Sequence, residues 1–243
     1  MLIYPRLCKK IRFITLREES YIMIKKTPTK RQWIMMLYLP IHFAWYFIVE
    51  QAITTDYTSI HCALDNMIPF CEWFIFPYFS WFLYMVATGL YFLLKDHEAF
   101  EHYMLSLIFG FFISLTIISV FPNGQDLRPT SYNTNFAAQI MKLTQQFDTN
   151  TNVFPSMHVV GALGAWFAIV KSKTLKSKVW VQVLNYLLCT AIILATVFLK
   201  QHSVLDVFAG IAVASVVCFF VYKGYAGKLL TKLENALTKA PIA

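Results

Sequence analysis

The sequence predicts an all-α polytopic membrane protein with six transmembrane helices and both termini cytoplasmic. Three observations carry that reading. Hydrophobic residues fill 58% of the 243 positions and charged residues only 14%, where a soluble domain carries roughly 25% charged residues. Six stretches are long and apolar enough to cross a bilayer core, which takes about 20 residues. The basic residues gather in alternate loops, as the positive-inside rule expects. A mean hydropathy of +0.54 excludes an ordinary soluble enzyme, a disordered chain and a collagen-like fibre.

Residues 1–32 read as a basic cytoplasmic segment with nine Lys or Arg. Arg6, Lys9, Lys10, Arg12 and Arg17 interrupt its apolar residues, so it does not read as a cleavable signal. The apolar interruptions at Ile11, Phe13, Ile14, Leu16, Tyr21, Ile22 and Ile24 suit a helix lying on anionic lipid, or a segment that only fixes topology. The membrane domain spans 33–222. Its six spans are expected near 33–50, 73–94, 103–121, 153–170, 179–199 and 203–222. Each must be helical, because no water is available at depth to satisfy the backbone. Pro40 and Pro77 fall within spans and are expected to kink them. The fourth span is the weakest, with Pro155, Ser156 and His158 at its start. Residues 223–243 form a cytoplasmic tail. No soluble domain and no internal repeat is evident.

Eighteen of the 21 basic residues fall on one side when six spans alternate. That side is expected to be the cytoplasm, in a cell membrane. Nucleic acid is not expected as a partner, because the excess of basic residues is accounted for by topology. A homo-oligomer is compatible with the sequence but not specified by it. None of the cysteines forms a C-x-x-C pair, so a structural zinc site is not expected. Cys62 and Cys71 share one loop and suit a disulfide if that loop faces an oxidising side.

Arg128, Lys142 and Lys200 remain on the outer side. Lys142 sits in a polar stretch, 139–146, and reads as solvated. Arg128 and Lys200 are candidates for an anion site. Three segments bring chemistry to that face: 121–129 after the third span, 152–158 opening the fourth, and 200–206 joining the fifth and sixth. Arg and Lys can hold phosphate oxygens. Ser156 sits at a helix start, where free N–H groups and the positive dipole end favour an anion. Two histidines can divide attack on phosphorus from protonation of the leaving oxygen. His202 and Asp206 stand at i and i+4, on one helix face. An aspartate just inside a span is costly and is usually functional. Two His and one Asp also suit a metal, but His158 lacks a paired ligand at helical spacing.

These residues resemble the type 2 phosphatidic acid phosphatase superfamily, whose motifs are K-x6-R-P, P-S-G-H and S-R-x5-H-x3-D. The second is met by Pro155-Ser156-Met157-His158. The core of the third is met by His202 and Asp206, followed by Val207, Phe208, Ala209 and Gly210. The end of the first is met by Arg128-Pro129. The resemblance covers about residues 65–222 and is strongest to the branch of inositol phosphorylceramide synthases and bacterial lipid phosphatases. It rests there on 68–70, 76–78, 121–122, 154–156 and 200–202. It implies a nucleophilic His202, oriented by Asp206, with His158 as general acid. It implies phosphate binding by Arg128 and Ser156, and no metal or other cofactor. The first motif's Lys falls at Phe121. The third motif's Arg and Ser fall at Thr196 and Ala195, and the second motif's Gly at Met157. Lys200 is the expected replacement for the missing cations.

The implied activity is metal-independent hydrolysis of a membrane lipid phosphomonoester or diphosphate at the outer face. Phosphatidic acid, phosphatidylglycerol phosphate and a polyprenyl diphosphate are candidates. A headgroup phosphotransferase uses the same first half-reaction and stays open. So does a non-catalytic transport or lipid-binding protein, which composition alone would favour. The polar segment 130–151 suits hydroxyl recognition, but suits plain solvation better.

Overall fold

The computed structural model describes residues 27–53 and 55–239. The reading of the basic N-terminal segment as a surface helix lies outside the described residues. Among those residues about three quarters are helical: α1 (Lys30–Ala52), α2 (Ala63–Met67), α3 (Ile75–Lys95), α4 (His97–Val120), α5 (Phe136–Phe147), α6 (Met157–Lys171), α7 (Val179–Phe198), α8 (Val204–Tyr222) and α9 (Tyr225–Lys239). Two short strands, β1 (Thr58–Ser59) and β2 (Asn123–Gly124), pair in parallel. Gly124 also bridges to Thr151. Three connecting segments are thereby fastened together at the end of the bundle that carries the histidines.

Helix boundaries follow local chemistry. Thr29 opens α1 with a capping box: its hydroxyl accepts from the Gln32 amide at 3.3 Å, and the Gln32 side chain accepts from the Thr29 amide at 3.0 Å. Pro40 lies inside α1. Pro77 is the third residue of α3. In a first turn its missing N–H has no intrahelical partner to lose, so the expected mid-span kink there is replaced by a helix start.

Five helical segments are long and apolar enough to cross a membrane, at Lys30–Ala52, Glu72–Lys95, His97–Val120, Val179–Phe198 and Val204–Tyr222. The expected fourth span is shorter. Its helix, α6, starts at Met157 rather than at 153 and has 15 residues. Pro155 and the Ser156 cap hold the preceding stretch out of the helix. Irregular backbone at depth is tolerated only where protein surrounds it, and α6 is surrounded, packing against α3, α4, α7 and α8. Small residues make that close approach possible. A Cβ at Gly110 would meet Val160 at 2.6 Å, and one at Gly161 would meet Trp81 at 2.9 Å. The outer helices instead turn large apolar residues outward, among them Trp33, Ile41, Leu83, Leu94, Trp180 and Leu187. That outward apolar surface marks a membrane protein.

Candidate active site

His202 sits in the short loop between α7 and α8. The Thr196 carbonyl accepts from the backbone N–H groups of both Gln201 and His202, each at 3.0 Å. Lys200 adopts φ 56°, a left-handed conformation that turns the chain sharply there. The His202 Nδ1 lies 3.3 Å from Asp206 Oδ2. The same oxygen accepts from the Ser203 amide at 2.8 Å. Asp206 is fully buried, and its Oδ1 has no partner among the described residues. Carboxylate and imidazole are thus in contact, but not on one helix face as expected: His202 precedes the Ser203 cap of α8, and Asp206, the third residue of that helix, reaches back over the cap. A carboxylate on Nδ1 leaves Nε2 as the free basic nitrogen.

His158 lies in the first turn of α6. Its ring stacks on Tyr78, with centroids 4.4 Å apart, and meets Trp81 at 4.7 Å. Its centroid is 5.9 Å from that of His202. The Nε2 atom is buried and has no partner among the described residues. Both histidines line one cavity of about 500 Å³. Its walls come from His42, Phe43 and Tyr46 of α1, from Tyr78, Phe79, Trp81 and Phe82 of α3, and from Leu143 and Phe147 of α5. Phe43, Phe79, Phe82, Leu143 and Phe147 are also exposed on the outside of the bundle. The cavity is therefore walled by residues that reach the lipid-facing surface.

The three anion-binding candidates are placed differently. Ser156 is fully buried and caps α6, its hydroxyl accepting from the Val159 amide at 3.5 Å. It does not line the cavity, but Met157 and His158 beside it do. Arg128 donates to the carbonyls of Gln145, Asp148 and Thr149 at 3.3, 2.6 and 2.6 Å, and it too stays out of the lining. Burial pulls its guanidinium pKa down, and the charge of Asp148 nearby opposes that. Lys200 does not join the histidines at all. Its ammonium donates to the carbonyls of Asp65 and Ile68, at 2.5 Å each. It lines a second, polar cavity with His61, Asp65, Asn66 and Asp126. Burial pushes its pKa down, with Asp65 acting in the opposite sense. The expected replacement of the missing motif cations by Lys200 is thus not the arrangement found. The sharp turn at Lys200 sends its side chain toward α2, away from the His202 cavity.

Sequence reasoning missed an acidic group. Asp148, just past α5, lines the cavity with both histidines. Its Oδ2 accepts from the Tyr78 hydroxyl at 2.6 Å and from Gln201 Nε2 at 2.9 Å. Glu50, at the end of α1, accepts from the Thr149 amide and hydroxyl, and from Asn152 Nδ2 at 2.6 Å. No motif spacing links Asp148 to the histidines; only the folded chain does. The segment 130–151 is also more than a solvated loop, because α5 lies within it and supplies cavity wall. Cys62 and Cys71 are free thiols.

A histidine–carboxylate pair, a second histidine beside it and a shared cavity with apolar walls suit phosphoryl chemistry on a membrane substrate. No curated protein and no solved structure matches the chain. A family comparison matches residues 103–229, just over half of the chain, to the PAP2 superfamily. That match contains Arg128-Pro129, Pro155-Ser156-Met157-His158 and His202-x3-Asp206, and the chain belongs to the PAP2 superfamily.

Proposed function

We propose that this protein is an integral-membrane lipid phosphatase that works through a phosphohistidine at the outer face. The observation that carries the reading is the shared cavity: His158 and His202 face one space, walled by apolar side chains that extend to the lipid surface. A lipid tail can stay among those side chains while its phosphate meets the histidines. Phosphatidic acid, phosphatidylglycerol phosphate and a polyprenyl diphosphate are the candidate substrates.

In the first step His202 Nε2 attacks phosphorus. The bond from phosphorus to the lipid oxygen, or to the outer phosphate's bridging oxygen, breaks. His158 gives its proton to that leaving oxygen. Asp206 holds the His202 tautomer and offsets the positive charge that forms on the ring. The first turn of α6, capped by Ser156, presents its positive end to the phosphate. Arg128 contributes its charge from behind the cavity, beside Asp148. In the second step water attacks the phosphohistidine, His158 takes its proton, and phosphate leaves.

Transfer to an alcohol instead of water is favoured by one observation. Asp148 places a fixed carboxylate in the same cavity, suited to accept a hydrogen bond from an acceptor hydroxyl.

The test is phosphate release from the three lipids in mixed micelles containing EDTA, beside the His202→Ala protein. Release that survives EDTA and vanishes in the variant is expected. A folded protein that releases phosphate from none of them overturns hydrolysis and favours headgroup transfer or a non-catalytic role.

A further inference from the structure

We propose that Asp65 is a positioning residue for His202, acting through Ser203 and Asp206; the proposal rests on the reading of His202 as the nucleophile. Asp65 lies in α2, 137 residues before His202 in the chain. Its carboxylate is buried, with 2% of the residue exposed. Both oxygens are engaged. Oδ2 accepts from the Ser203 hydroxyl at 2.7 Å and from the Cys62 amide at 2.7 Å. Oδ1 accepts from the Val204 amide at 2.8 Å. Two of these three donors belong to the residues that directly follow His202.

The relay to the imidazole is short. Ser203 gives its hydroxyl to Asp65 and its backbone N–H to Asp206 Oδ2, and that oxygen faces His202 Nδ1. The other side of His202 is held by the same short helix. Lys200 donates to the Asp65 and Ile68 carbonyls, and the Lys200 carbonyl accepts from Gln125 Nε2 at 2.8 Å. α2 therefore grips the loop two residues before the histidine and one residue after it.

The carboxylate is suited to the task because it remains charged. Burial alone would raise its pKa, but hydrogen bonds from Ser203, Val204 and Cys62 outweigh burial and lower it. Charge-assisted bonds are roughly twice as strong as neutral ones. An asparagine here offers a single acceptor oxygen where the carboxylate serves three donors. Displacement of a reacting group by about 1 Å can cost roughly 10²-fold in rate, so loosening this grip is expected to slow attack without weakening lipid binding.

Two comparisons separate this proposal from the reading beneath it. Wild type and His202→Ala are first assayed for lipid phosphate release and for an acid-labile phosphoenzyme. An active His202→Ala protein removes the nucleophile reading, whatever Asp65 does. Asp65→Asn, Ser203→Ala and the double variant are then measured in nanodiscs. Each single change is expected to lower kcat about tenfold or more with KM within about twofold, and the double variant to lose no more than the worse single one. Losses that multiply in the double variant, losses carried by KM, or a wild-type kcat in Asp65→Asn overturn the proposal. If Asp65→Asn does not fold, Ser203→Ala decides alone, since it leaves the Asp65–Val204 bond in place: an unchanged kcat overturns the proposal and a reduced kcat at unchanged KM supports it.

Discussion

The backbone N–H of Ser156 donates to the carbonyl of Asp206 at 3.1 Å. This bond ties the start of α6 to the first turn of α8, and so fixes the segment that carries His158 against the one that carries His202. It requires close approach of the two backbones. Gly210, one turn further along α8, permits it: a Cβ there would meet the Ser156 carbonyl oxygen at 2.9 Å and Val159 Cβ at 2.9 Å. Neither neighbour is the flexible end of a long side chain. Gly210→Ala is expected to destabilise the protein by about 1–3 kcal/mol through overpacking and to lower kcat by separating the two histidines. Thermal unfolding in detergent and turnover at saturating lipid check both effects.

The membrane class was legible because composition and apolar runs report directly on the solvent a chain is built for. Five of the expected spans have counterparts in long helices. The fourth was misjudged in length because a hydropathy window cannot see that Pro155 and Ser156 delay the helix until Met157. His202 and Asp206 were legible for a local reason, since they lie four residues apart, but their contact forms across the Ser203 cap of α8 and not on a helix face. Lys200 was misplaced because charge and proximity in sequence do not report φ, and a left-handed residue sends its side chain elsewhere. Asp65 and Asp148 were illegible because their partners lie far away along the chain: Ser203 and Val204 for the first, Tyr78 and Gln201 for the second.

His158 stands against Tyr78 and Trp81 with its Nε2 unpartnered and directed to no group of the protein among the described residues. A general acid in that position matters in proportion to the basicity of the leaving oxygen. His158→Ala is expected to slow release from a lipid phosphomonoester by about 10²–10⁴-fold. In the first turnover, before water attacks the phosphohistidine, the loss is expected to be much smaller with p-nitrophenyl phosphate, whose leaving group departs without a proton. His202→Ala is expected to lose both activities. Equal losses of first-turnover leaving-group release on the two substrates in His158→Ala would contradict the assignment of its proton to the leaving group.

Asp148 puts a negative charge in the cavity that is proposed to receive an anionic headgroup, and Tyr78 and Gln201 hold it there. Two like charges at close range in a partly dry site repel each other. Asp148→Asn keeps the side-chain shape and removes that repulsion. It is expected to lower KM for an anionic lipid phosphate about two- to tenfold, with the effect shrinking as salt is added. If the carboxylate instead serves an acceptor alcohol, kcat falls with that acceptor and not with water. Steady-state kinetics with and without a lipid alcohol distinguish the two outcomes.

Asp65 also sets a pH dependence whose sign is fixed. Its pKa in the folded protein is lowered, because the bonds from Ser203, Val204 and Cys62 outweigh the opposing effect of burial. In an unfolded chain an aspartate titrates near 3.9. The stabilisation from its ionised form is therefore fully present above that value and is lost as pH falls through the lower folded value. Above about pH 5 the melting temperature of wild type is expected to exceed that of Asp65→Asn by a constant margin. Below about pH 4 the margin is expected to shrink, since the wild-type carboxyl becomes neutral while the asparagine does not titrate. Melting curves of the two proteins across pH 3–7 test this; a margin that widens on acidification would show that the Asp65 carboxylate is not held ionised by its three donors.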